Sequence, residues 1–350
     1  LPVFTFVAMS PKVLIIRFSS IGDVVLTTPV IRGVKQQAGA EVHFLTKSSF
    51  AAVLKGNPYV DKLWTIQRDI REIADDLTRE NFDYLIDLHG NLRTLEVKTR
   101  LFTHALRHLR PRPQTSTFEK LNFQKFLLTR FGVNRMPDVH IVDRYLAAAA
   151  SLGVANDGLG LDYFIAPEDE VDLEAAGLPS HYLAFVIGAA HATKRLTEEQ
   201  MEHICRHFPA PIVLLGGPPE AALGERLAEG KAHVHNACGK FSLGGSADLV
   251  RQAGAVLTHD TGLMHVAAAF RKPIVSIWGN TVPDLGMYPY LPGEEAQERA
   301  RRQEILGLSC RPCSKIGFQA CPKGHFRCIM DQRPSDLIRA AQALLPSAQP

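Results

Sequence analysis

KVLIIRFSSIGDVVLTTP, Lys12–Pro29, couples an apolar run to a turn rich in small hydroxyl residues, and its reading sets the fold class. Val13–Ile16 carries no polar residue, as in a strand of a parallel sheet covered on both faces, where side chains need not alternate. The residues that follow occupy the carboxyl end of such a strand, the edge at which open α/β sheets bind ligands. A dinucleotide fingerprint would place three glycines there so that a pyrophosphate could approach the backbone. Here Gly22 stands alone beside a single carboxylate, Asp23. A ligand other than that cofactor is expected.

The same alternation of apolar runs and helical patterns continues through EVHFLT (41–46), KLWTIQ (62–67) and FDYLIDL (82–88). It restarts at HYLAFVIG (181–188) and runs through PIVLLGG (211–217), AGAVLTHD (253–260) and KPIVSIWG (272–279). This rhythm predicts two doubly wound α/β halves with parallel sheets, and 350 residues suffice for two cores. Between the halves, the acidic DYFIAPEDEVDLEAAGLPS (162–180) has two prolines and no long apolar period, so it reads as the edge of one domain plus a linker, with the boundary within about ten residues of 170. An N-terminal domain over 9–170 and a C-terminal domain over 171–333 are expected. PSDLIRAAQALL (334–345) reads as an amphipathic helix, part of a tail 334–350 expected to pack back on the N-terminal domain.

With 46% hydrophobic and 21% charged residues the chain is an ordinary globular one, and a net charge of +3 gives no compositional case for a nucleic-acid partner. Its charge is uneven: from Arg93 to Arg135 ten Lys/Arg residues face only Glu96 and Glu119. That run reads either as solvated helix faces or as a surface for an acidic acceptor or an anionic membrane. No apolar stretch approaches the ~20 residues that span a bilayer, so a soluble or peripheral protein is expected. LPVFTFVA (1–8) lacks the positive n-region of a signal peptide, and Met9 reads as the natural start. Six cysteines in such a chain are expected to be reduced, or used for metal, in a cytoplasmic setting.

Chemistry should collect just beyond the apolar runs. In HDTGLMHVAAAF (259–270), Asp260 or Thr261 can cap a helix whose first turn holds Gly262, where exposed N–H groups attract phosphate. His265 then falls near enough to donate to a diphosphate or ribose oxygen, although a plain cap and a packed histidine would also account for these residues. GAAHATKRLTEEQ (188–200) offers Thr193 and Lys194 in a cationic loop ahead of a Thr197 cap, groups suited to the charge on a departing diphosphate. A solvated surface turn is the alternative. Gly216-Gly217-Pro218 and Cys238-Gly239-Lys240 are placed to frame a nucleoside, with Glu220 accepting from ribose hydroxyls or merely solvated. For Asp23 the spacing leaves a helix cap and a general base equally open.

SSIGDVVLTTPVIRGVKQ, DLHGNLR, the H-x-T-K-R loop at 191–195, the stretch that opens on GKFSLGG and closes on SIWG (239–279) and CPKGHFRCI (321–329) together resemble glycosyltransferase family 9, the ADP-heptose:lipopolysaccharide heptosyltransferases. The likeness runs from Met9 to about Leu345. It implies the GT-B architecture, two Rossmann-like domains facing across a cleft, with an ADP-sugar donor on the C-terminal domain and a Kdo–lipid A type acceptor on the N-terminal one. It further implies inverting transfer of a heptose from ADP-L-glycero-D-manno-heptose with no required cofactor or catalytic metal, at the cytoplasmic face of the inner membrane. Asp23 would be the base and Lys194 would meet the leaving group. Ser20, Gly22, Thr193, Glu220, Asp260, Thr261, Gly262 and His265 would serve the donor, and His89 and Arg93 the acceptor. Another sugar donor or acceptor on the same scaffold fits these residues too. A GT-B-shaped nucleotide-sugar epimerase would want more acid/base groups than Asp23, and a non-catalytic binding protein would not need Asp23 together with Lys194 and His265.

Cys310, Cys313, Cys321 and Cys328 follow C-x2-C-x7-C-x6-C, with His325 among them. The first pair has metal-ligand spacing and the second does not, which leaves a structural zinc and a group of reduced thiols both open.

Overall fold

The computed structural model of the chain describes residues 10–293 and 296–345. The expected start at Met9 and the tail 346–350 lie outside them. The described residues divide into two compact units. One holds the chain up to Lys120 together with Val142–Asp157, and the other holds Leu121–Ile141 and the chain from Gly158 onward.

The first unit is built on β1 (Lys12–Ile16), β2 (Glu41–Lys47), β3 (Lys62–Ile66), β4 (Tyr84–Asp87) and β5 (Gln114–Thr117). They form one parallel sheet in the order β3-β2-β1-β4-β5. Central β1 pairs Val13 with Val42 on one side and Tyr84 on the other, and Val13–Ile16 are wholly buried. Burial on both faces explains the unbroken apolar run, and each such aliphatic side chain contributes on the order of 1.5–3 kcal/mol. Arg32, on the helix Thr28–Gln36, is 2% exposed and makes a bidentate ion pair with Asp157 at 2.7 and 2.8 Å. On the same helix Gly33 lies so close to Val154 that a Cβ would come within 2.5 Å of it. These contacts hold the 142–157 segment to the first unit.

The second unit carries β6 (Leu183–Val186), β7 (Ile212–Leu215), β8 (Val234–Asn236), β9 (Ala255–His259), β10 (Ile274–Trp278) and β11 (Ala300–Glu304). This sheet is also parallel, in the order β11-β10-β9-β6-β7-β8. Two parallel-sheet α/β units are thus the fold class read from the sequence. Eight of the eleven described strands coincide with an apolar run. The other three, β5 (QTST), β8 (VHN) and β11 (ARRQE), lie at sheet edges, where one side is unpaired and polar residues are tolerated.

The division of the chain differs from the expected one. Residues 158–180 are not a free linker: Val171 N–H donates to the buried Asp248 carboxylate at 2.8 Å, Ser242 Oγ donates to Asp169 at 2.6 Å, and Tyr163 packs edge-on against Phe270. These partners belong to the second unit, which moves the boundary from about 170 to 157/158. The terminal helix Pro334–Leu344 likewise goes to the second unit instead of the N-terminal domain. Its Leu337, Ala340 and Ala341 join the core formed with Met201, Ile204 and Leu257. Among the described residues no helix is long and apolar enough to cross a membrane.

Candidate functional site

In the first unit the strand order reverses between β1 and β4, so the loops leaving these neighbours diverge at their carboxyl ends, the position where α/β sheets open to ligands. Arg17 is the first residue beyond β1. Its Nε donates to Ser19 O at 2.7 Å, its Nη1 to Leu88 O at 2.6 Å, and its Nη2 lies 2.6 Å from Asp23 Oδ1. One guanidinium therefore ties the two loops together and supplies the counter-charge to Asp23. The other carboxylate oxygen of Asp23 accepts from the Ser20 backbone N–H at 3.0 Å and the Ser20 hydroxyl at 2.9 Å. Ser20 is thus the N-cap of the helix Ile21–Val25, with Gly22 buried inside it, and Asp23 is its third residue instead of its cap. Burial would raise the Asp23 carboxyl, but Arg17 and the Ser20 hydrogen bonds outweigh it and hold the group below the usual carboxylate range. Asp23 is ionised at neutral pH.

At the end of β4, Asp87 Oδ1 accepts from the backbone N–H of His89 and Gly90, and Lys98 Nζ lies 2.7 Å from Oδ2. His89 packs edge-on against Phe18 with ring centroids 5.4 Å apart, and the Arg93 guanidinium lies 5.3 Å from the same ring. Phe18 thereby brings together the two residues expected to meet the acceptor. Burial, and then the charges of Arg17 and Lys120, push the His89 imidazole down to about 4, so it is neutral at pH 7. Its Nδ1 is buried without a hydrogen-bond partner, as is the hydroxyl of Tyr145, which lies with its ring 5.8 Å from the Arg17 guanidinium.

The second sheet reverses between β6 and β9, and the same geometry recurs there. Lys194, in the loop after β6, reaches Asp260, just after β9, with Nζ 2.6 Å from Oδ2. Thr281, from the loop after β10, donates its hydroxyl to the same oxygen at 2.9 Å. Asp260 is therefore engaged by Lys194 and Thr281 instead of capping a helix. Thr261 is the N-cap of the helix Gly262–Ala269, but its hydroxyl lies 3.2 Å from that of Thr258 and makes no cap bond. The first-turn N–H groups from Gly262 onward have no side-chain cap, the arrangement that favours an anion.

Two of three further donor candidates are buried. Thr193 is 2% exposed; its hydroxyl accepts from Phe318 N–H at 2.8 Å and lies 3.0 Å from Asn280 Oδ1, so it holds the loop together instead of presenting its oxygen. His265 is 3% exposed within its helix. Glu220 accepts from Gly217 N–H at 2.9 Å and packs against Gly188 and Gly216 at the ends of β6 and β7. It also lines a cavity of about 480 Å3 with Arg195, Met201, Arg226 and Phe326.

Sequence reasoning gave no role to Arg17, Tyr145, Asn280 or Thr281. Arg17, Asn280 and Thr281 had a signal, since they lie just beyond the carboxyl ends of β1 and β10. Tyr145, inside the helix Ile141–Ala147, had none. The four clustered cysteines lie in the second unit and are not disulfide-bonded.

The sequence model of glycosyltransferase family 9 (heptosyltransferase) matches residues 70–313. Lipopolysaccharide heptosyltransferase 1 of Escherichia coli (strain K12) is 27% identical over 320 residues, covering 85% of this chain and 96% of that protein. The crystal structure of a family 9 glycosyl transferase from Veillonella parvula superimposes with a TM-score of 0.73 at 23% identity, covering 96% of this chain and 97% of that one. The E. coli heptosyltransferase WaaC solved with ADP gives a TM-score of 0.61 at 26% identity, over 78% of this chain and 88% of that one.

Proposed function

The chain belongs to glycosyltransferase family 9, and from that premise we propose that it is an inverting heptosyltransferase. Its donor is ADP-L-glycero-D-manno-heptose and its acceptor the Kdo–lipid A inner core of lipopolysaccharide. Relatives that bear the name lipopolysaccharide heptosyltransferase, and one solved with ADP, support this choice. The observation that carries the reading is the pair of strand-end loops at the reversal of each sheet. One presents an ionised carboxylate, Asp23, and the other a lysine, Lys194, beside an uncapped helix N-terminus.

Inversion requires one displacement at the anomeric carbon. The acceptor hydroxyl gives its proton to the Asp23 carboxylate as its oxygen bonds to that carbon. The bond from carbon to the diphosphate oxygen breaks, and ADP leaves with the electron pair. Lys194 and the N–H groups from Gly262 onward meet the growing negative charge, and Glu220 is at hand for ribose hydroxyls. A lysine and a helix N-terminus thus take the part that a divalent metal plays in other transferases. Neutral His89 and the Arg93 guanidinium serve the acceptor, whose acidic groups suit an arginine fork. Leu92 at 85% and Leu109 at 94% exposure, interspersed with Arg93, Arg107 and Arg110, support peripheral contact of this face with the anionic cytoplasmic surface of the inner membrane.

The test is direct. Protein incubated with ADP-heptose and a Kdo-terminated lipid A should yield acceptor heavier by one heptose, together with ADP. Asp23→Ala should abolish transfer and leave donor binding intact. Transfer from a different nucleotide sugar, with none from ADP-heptose, would keep the family chemistry and overturn the substrate. A variant that transfers at the wild-type rate would remove Asp23 from the role of base.

A further inference from the structure

Four cysteines that heptosyl transfer does not use converge in the second unit. Cys310, Cys313, Cys321 and Cys328 line a cavity of about 10 Å3 together with His325 and Asn280. A cavity of that size has room for about one water-sized sphere. All four thiols are free, and Cys328 is 7% exposed.

The chain around them is folded into the tight turns that present sulfur to an ion. At Cys321-Pro-Lys-Gly-His325, Gly324 sits at φ 73° and donates its N–H to Cys321 O at 2.9 Å.

His325 has a different role. Its Nδ1 accepts from Arg327 N–H at 3.0 Å, so the proton of the neutral ring is on Nε2, which lies 3.7 Å from Cys310 Sγ. The imidazole therefore donates to a sulfur and does not compete as a ligand. We propose that Cys310, Cys313, Cys321 and Cys328 bind one thiophilic transition-metal cation as a four-thiolate site, with His325 Nε2–H hydrogen-bonded to the Cys310 sulfur. Zinc, and iron in the same tetrahedral set, are the ions such a site selects. On binding, each thiol releases its proton to solvent and the sulfurs close on the ion.

The sulfurs stand more loosely than in a filled site. Among the described residues, the His, Cys and carboxylate groups whose ligand atoms all lie within 4.8 Å of one another are Glu41, His43 and Glu80. Those three are already satisfied: Lys12 Nζ is 2.7 Å from Glu80, Lys62 pairs with it too, and Trp64 Nε1 donates to His43 Nδ1 at 3.0 Å, which leaves His43 Nε2–H for Glu41. The cysteine loop, by contrast, is stitched to the Lys194 turn. Phe318 N–H donates to Thr193 Oγ1, and Asn280 Nδ2 donates to Ser314 O at 3.4 Å. A bound ion would buttress the turn that carries Lys194.

The test uses the whole chain and needs no transfer assay. Protein purified without chelator is analysed for zinc and iron, then stripped and titrated with Co2+. One equivalent of zinc or iron, and one cobalt per chain with strong thiolate-to-cobalt charge transfer, support the site. The four thiols should be shielded from a thiol reagent by the metal and exposed by chelator. Cys313→Ser should abolish the charge-transfer band, whereas His325→Phe should keep it and weaken metal affinity about tenfold. A stripped wild-type chain that shows no charge transfer with excess Co2+, or whose four cysteines are recovered as disulfides, overturns the proposal. Complete loss of the band in a folded His325→Phe variant would overturn the four-sulfur assignment.

Discussion

Replacing Arg17 by methionine takes away the cation 2.6 Å from Asp23 while leaving both Ser20 hydrogen bonds in place. An opposite charge at that range lowers a carboxyl pKa by about 1–3, and burial works the other way. The Arg17 and Asp23 side chains are only 11% and 17% exposed, so solvent does little to screen the pair. With Arg17 gone, its lowering effect is lost while burial remains, so the carboxyl titrates higher than in the wild type. The acid limb of kcat/KM for heptosyl transfer, set by the free enzyme's base, should move up with it. Stability responds with the same sign. The wild-type pair stabilises fully above the unfolded-chain value of about 3.9 and is lost as pH falls through the lower folded value. Breaking it, together with the bonds to Ser19 O and Leu88 O, costs about 3 kcal/mol at neutral pH. The assay is a pH–rate profile for wild type, Arg17→Met and Arg17→Lys, below the melting range of the weakest. Lysine, which keeps the charge, should move the limb less. A limb that stays in place in a folded Arg17→Met enzyme would show that the limiting ionisation is not that of Asp23 beside Arg17.

Lys194→Met should lower kcat by about 10²–10³, the usual cost of removing one donor to developing charge, and weaken ADP binding measured by calorimetry. Its acid limb should stay where it is in the wild type, because the charge and hydrogen bonds that hold Asp23 ionised come from Arg17 and Ser20. Acid sensitivity should be traceable to buried histidine. His259 is fully buried, its Nε2 accepts from Leu196 N–H at 3.1 Å, and burial holds it down to about 4. The folded state therefore binds fewer protons than the unfolded chain between about pH 6.5 and 4, so stability falls as pH drops through that window. For this group alone the loss is about 2 kcal/mol from pH 7 to pH 5. Urea midpoints at the two pH values should differ less in His259→Gln than in wild type.

The positions of Asp23, Lys194 and Asp260 were legible because a parallel sheet puts every strand's carboxyl end on one edge. Any polar residue directly after an apolar run therefore belongs to the ligand-binding edge. Edge strands β5, β8 and β11 escaped that reading, since a strand that buries one side has no need of an apolar run. The linker part of the 162–180 reading failed for a related reason: its anchors, Val171 to Asp248, Asp169 to Ser242 and Tyr163 to Phe270, are contacts with residues far along the chain that composition does not register.

From sequence alone came the class of fold and the strand-end loops that carry Asp23 and Lys194, because each depends on local periodicity and on order along the chain, while the role of Asp23 as base came from the family resemblance. The tertiary structure decided which of those residues act together. Reversal of strand order sets β1 beside β4 and β6 beside β9, and so pairs residues far apart in the chain. In the first unit that adjacency lets Arg17, which keeps Asp23 ionised, also reach Leu88 beyond β4, and in the second it gives Asp260 to Lys194. The folding of the segment after β11 then draws Thr193 into the support of its loop and gathers four cysteines around one small cavity.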